Sequence, residues 1–164
     1  KAAKVSGVEN TSFMELTGEM YQQVNVYDNQ ISVFGKNFTS PINKNCLSHY
    51  KFYLIDSLFV DNNWCYQIDF TPKRKGELTF DGTLWINDTT YAIKKVKGFI
   101  NKTANINFIN ELEITQIFEQ VEPEIWMLKK DELFVDFEWI EKGLGVYANK
   151  NTFYSDVIIN KDSK

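Results

Sequence analysis

The sequence is poor in the residue types from which most catalytic and metal-binding centres are built. Among 164 residues there is one histidine, His49, and there are two cysteines, Cys46 and Cys65. A Ser-His-Asp or Cys-His arrangement would have to use His49. That residue opens an alternating apolar stretch, and no G-x-S-x-G motif lies near it. Two cysteines without a C-x-x-C spacing make no zinc motif. They read as two buried free thiols, with a disulfide left open in an oxidising compartment. An EF-hand loop and a glycine-rich phosphate loop are also missing. The expectation is a chain without catalytic residues, metal or cofactor.

Positive charge is not in excess. Lys and Arg number 18 against 22 Asp and Glu, for a net charge of −4. No basic face for nucleic acid is visible. No apolar run approaches the roughly 18 residues that span a bilayer, so no transmembrane segment is expected in this stretch. The chain opens at Lys1 without Met or an apolar leader, and reads as one β-rich domain over 1–164 excised from a larger protein. Proline is scarce too. Pro41, Pro72 and Pro123 each fall between apolar runs, where proline is tolerated.

What the chain has is aromatic residues, at 15%. These favour strands and carry large burial energies. Phe13, Leu16, Met20, Tyr21 and Val24 form a stripe at helical spacing, with Ser12 and Glu15 as a capping box, predicting one helix over about 10–22. Residues 25–48 read as a long loop with one short strand at Val33-Phe34. From Tyr50 the period changes to two. Strands are expected at 50–60 and 64–71, joined at Asp61-Asn62-Asn63 into a hairpin. Leu78, Phe80, Leu84 and Ile86 share one face of the next strand, and Thr79, Asp81, Thr83 and Trp85 the other. The stretch 90–100 is a strand with a bulge near Lys94-Lys95. Residues 112–118 form another, followed by the turn Glu122-Pro123-Glu124. Two segments, 125–128 and 133–139, are separated by Lys129 to Glu132, and a final strand runs over 152–159. No helix-length segment separates the strands, so a mainly β chain with a curved, meandering antiparallel sheet is predicted, one N-terminal helix packed on it.

Candidate chemistry is sparse. Asp69 and Asp81 fall on the polar faces of adjacent strands and, as a dyad, would support acid–base work on a polysaccharide. Solvated surface charge is the bland reading. Lys73-Arg74-Lys75 is a compact basic turn, attractive to phosphate but weakly so. The best hint of binding is aromatic. Trp85 sits on the polar face of its strand, and Trp64, Trp85 and Trp126 are the candidate ligand-binding residues. For Trp85, core packing under the helix is an equal explanation.

Two resemblances add context. The segments YQQVNVYDNQISVFGKNFTSPI, WCYQIDFTPKRKGELTFDGTLWINDTTYAIKKV, ANINFINEL and WMLKKDELFVDF resemble the middle region of large uncharacterised envelope proteins of Bacteroidetes. In those proteins a carboxypeptidase-regulatory-like domain precedes this region and an outer-membrane β-barrel follows it. More distantly, Gly82-Thr83-Leu84-Trp85-Ile86-Asn87 with Tyr91-Ala92-Ile93-Lys94-Lys95 is similar to the strand pair of periplasmic lipoprotein carriers of the LolA/LolB type. Those carriers are incomplete barrels with an apolar concave face. The resemblance implies a periplasmic, outer-membrane-associated location, a LolA-like open barrel, and partners among the other domains of the same polypeptide, with lipid or peptide as ligand. The expected function is a non-catalytic scaffold or binding domain that holds an apolar ligand or segment. The alternatives are a carboxylate-dependent hydrolase and a carbohydrate-binding module.

Overall fold

A computed structural model describes residues 18–100, 109–139 and 144–159. Nine strands and one short helix are seen there. Strands β1 (Gln30–Val33) and β2 (Lys36–Thr39) form a small hairpin. A single helical turn, α1 (Cys46–His49), leads into β3 (Tyr50–Val60) and β4 (Asn63–Pro72). Then follow β5 (Asp81–Asn87), β6 (Ile93–Phe99), β7 (Ile109–Glu122), β8 (Ile125–Trp139) and β9 (Leu144–Phe153). The last seven make one antiparallel sheet in the order β3-β4-β5-β6-β7-β8-β9. Every neighbour in space is a neighbour in sequence. The sheet is not closed, because β3 and β9 stand at opposite ends of the order.

Register fixes which side chains share a face, since directly opposed residues of an antiparallel pair project to the same side. Phe70 opposes Phe52 and Gly82, Gly82 opposes Gly98, Gly98 opposes Ile114, and Ile114 opposes Leu133. This inner face also carries Leu84, Val96, Leu112, Val135 and Phe137, all buried. The chain's own N-terminal part covers it. Met20, Val24, Val26, Ile31, Val33 and Phe38 lie in the same buried cluster, and apolar burial of this kind contributes about 25 cal/mol per Å2. The outer face carries Asp69, Thr83, Lys97, Thr115 and Glu132 in one row.

Several expectations hold. The hairpin 50–71 and the turn at 122–124 are present, while the strand read from Leu78 to Ile86 starts only at Asp81 and runs to Asn87. The register shifts opposite Lys94, as the broken alternation there requires. Others are corrected. The region 25–48 contains a true hairpin, whose central residues Phe34 and Gly35 both have positive φ, as two-residue hairpin turns demand. Residues 125–139 are one continuous strand, not two. The last strand spans 144–153, and 154–159 are irregular. The helix expected over 10–22 lies mostly outside the described residues. Within them, Gly18 and Glu19 are helical and a turn closes at Tyr21 N–H to Gly18 C=O, 3.1 Å.

Candidate functional site

The inner face is covered unevenly. Over β5 to β8 it lies beneath residues 20–38. Over the distal half of the β3–β4 hairpin it stays open. Phe59 opposes Trp64 and Ser57 opposes Tyr66, on the same side as Ile68 and Leu54. Phe59 is 65% exposed and Leu54 67%, while Trp64 and Tyr66 retain more than a third of their surface. The Phe59 and Trp64 rings meet edge to face, centroids 4.8 Å apart. Such a pair is worth about 0.5–1.5 kcal/mol beyond its burial, so it presents a preformed aromatic step. The tip of the hairpin is held from the other side. Lys94, the bulged residue of β6, is buried and reaches Asp61 at 3.0 Å. The Asn87 side-chain amide and the Asp88 backbone N–H both donate to the Trp64 carbonyl. Its backbone is therefore pinned while its apolar side faces solvent.

The three tryptophans singled out by sequence do not converge. Trp64 belongs to this exposed inner patch. Trp126, near the β7–β8 turn, opposes Gln120, is half-buried, and packs against the core. Its indole N–H is buried without a partner among the described residues. Trp85 opposes Gln67 and Lys95 and lies on the outer face. The Lys95 ammonium sits 4.9 Å from the centre of its ring, so a cation already occupies one face of that ring. Phe59, Tyr66 and Leu54 were not singled out, although the alternation of β3 and β4 carried the signal.

The carboxylates are also on the outer face. Asp69 accepts from the Thr83 hydroxyl at 2.7 Å and Asp81 from the Thr71 hydroxyl at 2.6 Å. They sit diagonally on an open sheet surface, each engaged by a threonine. His49 contacts Glu77 at 3.3 Å, and Arg74 reaches the other Glu77 oxygen at 2.6 Å. The Arg74 hydrogen bond, with help from His49, holds the Glu77 carboxyl below its usual range. Lys73 donates to the Leu47 carbonyl. The basic turn is thus tied to its own corner of the fold. Both cysteines are free, and burial raises the Cys65 thiol. No group of three or more metal-ligating side chains occurs among the described residues.

A shallow groove at the β7–β8 turn, lined by Val121, Met127, Leu128, Tyr154 and Val157, holds about 120 Å3. Ligand pockets are usually about 300–1,000 Å3. Among the described residues no helix is long and apolar enough to cross a membrane.

One family model matches residues 1–155, that of a family of unknown function, DUF5686. No curated protein matches the chain, and no solved structure does.

Proposed function

The chain belongs to the family of unknown function DUF5686, and we propose that it is a non-catalytic scaffold or binding domain that docks an apolar segment of its own longer polypeptide on the open part of the inner face. One observation carries this reading. The same face that residues 20–38 bury elsewhere is open at Phe59, with Trp64 and Tyr66 beside it each more than a third exposed. Clustered aromatic rings on a pinned backbone suit the centre of an interface, where a few such anchors supply most of the binding energy. The patch is open rather than enclosed, which favours a protein segment over an acyl chain.

The resemblance to envelope proteins supports a periplasmic, outer-membrane-associated setting for this domain, with neighbouring domains of the polypeptide as its partners. A photo-crosslinking residue at position 59 of the full-length protein, read by mass spectrometry in intact cells, tests the reading. Adducts should map to one segment of the same polypeptide and fall away with Trp64→Ala. Labelling no stronger than from position 83 on the outer face would overturn it. Adducts to lipid alone would do so as well.

A further inference from the structure

Strand β3 ends the sheet, and among the described residues nothing pairs with its far side. Natural edge strands are short, or carry lysines, prolines or a cover that blocks further pairing. β3 is eleven residues long, contains no proline, and has only two charges, Lys51 and Asp56. Tyr53, Leu54 and Ile55 are each about half exposed or more. Such an edge is a template for another strand.

Its own register says which strand fits. Lys51 and Tyr53 oppose Thr71 and Asp69, which places them on the outer face. Phe52 and Leu54 oppose Phe70 and Ile68 on the inner face. The register then slips by one at Ile55, so that Asp56 opposes Gln67 and returns to the outer face. Neither Lys51 nor Asp56 forms an ion pair with another described residue. Asp56 only accepts from the Ser57 amide, 2.7 Å away.

We propose that two copies of this chain pair antiparallel through β3, about a two-fold axis at Tyr53. Opposed residues must share a face, and this register satisfies the rule throughout. Tyr53 meets the partner's Tyr53. Phe52 meets the partner's Leu54 on the inner side. With bulged Ile55 passed over, Lys51 meets the partner's Asp56 on the outer side, and by symmetry the pair occurs twice. Sliding the axis to Lys51 or to Asp56 would set like charges against each other. The bulge gives the edge a self-complementary pattern that an unbroken strand would lack, and the interface is isologous, as closed dimers require.

The pairing goes beyond the docking reading and shares only Leu54 with that patch, so variants at Trp64 and at the β3 charges test the two separately. Trp64→Ala should leave the dimer intact. Sedimentation velocity of the purified chain should show a dimer. Lys51→Glu should weaken it about tenfold or more, since two favourable cross-strand pairs become two repulsions. Lys51→Glu combined with Asp56→Lys restores the opposition and should restore the dimer. In a Cys46→Ser background, Tyr53→Cys should form an intermolecular disulfide on mild oxidation, because directly opposed Cβ atoms lie about 4.5–5.5 Å apart. Lys51, Tyr53, Asp56 and Trp64 are exposed and Cys46 is partly buried, and far-ultraviolet circular dichroism will confirm that each variant folds. A wild-type monomer at hundreds of micromolar would overturn the proposal. So would a single charge variant that dimerises as well as the wild type, or a double variant that fails to recover.

Discussion

Gly82 is where a single methyl group decides the packing of the sheet. A Cβ added there would lie 2.0 Å from the Lys97 carbonyl oxygen and 2.7 Å from Cζ of Phe70. The first is backbone and the second is core, so neither yields cheaply. Gly82→Ala should cost about 1–3 kcal/mol in urea unfolding, the usual range for overpacking. Tyr50 answers the opposite demand, that of buried polar groups. Its hydroxyl donates to the Thr39 carbonyl and accepts from the Phe80 amide at 3.2 Å. Burial, the largest effect, raises its ionisation far above the ordinary tyrosine value. Tyr50→Phe keeps the ring and orphans both partners, so a loss of about 1–3 kcal/mol is expected from the same measurement. Glu77 adds a pH dependence. Its folded-state pKa lies below the unfolded value, so its contribution is present above the unfolded value, about 4.3 for glutamate. That contribution is lost as pH falls through the folded value. The stability difference between wild type and Glu77→Gln should therefore be constant near neutrality and shrink below about pH 4. An unchanged difference at low pH would count against the Arg74 contact.

At the scale of elements, the N-terminal segment is fastened to the sheet by polar groups as well as apolar ones. The Gln116 amide donates to the Val24 carbonyl at 2.7 Å and to Asp131 at 3.0 Å, and its oxygen accepts from the Val26 N–H. Lys150 pairs with Asp131 at 3.0 Å and donates to the Gln22 carbonyl. Asp131 is 2% exposed. Lys150→Met would leave that carboxylate buried without its counter-ion, which should cost about 3–5 kcal/mol. Hydrogen exchange should show the Val26 amide losing protection before those of β5 to β7. The same clasp explains a misreading of the sequence. Period two was legible wherever the inner face is apolar, as in β3, β4 and β5. Over 129–132 the inner position is Asp131, so β8 reads as two strands with a polar turn between them. From Val146 on, the positions of β9 on that side are Val146, Ala148, Lys150 and Thr152, and their pattern is nearly silent. The candidate site was half legible for a related reason. Alternation assigns each tryptophan to a face, but only register shows that Trp64 and Trp85 lie on opposite ones.

The whole molecule is a meander with two ends, and its assembly follows from how each end is finished. At β9 the ladder to β8 runs one residue past the strand, with Tyr154 N–H donating to the Lys129 carbonyl, and among the described residues nothing pairs with the far side. At β3 the far side is likewise unpaired among the described residues, so the backbone N–H and C=O groups of about every other residue of an eleven-residue strand face outward. If a second copy completes that edge, folding and association are linked, and native stability depends on protein concentration. Each tenfold rise in concentration adds about 1.4 kcal/mol to the unfolding of a dimer. With the usual unfolding entropy per residue, this raises the thermal midpoint by roughly 2 °C per tenfold. Differential scanning fluorimetry over a hundredfold concentration range should show that slope for the wild type. It should disappear for Lys51→Glu and return when Asp56→Lys is added. A midpoint that ignores concentration in all three proteins would leave β3 exposed in solution and shift the burden of covering it to another chain.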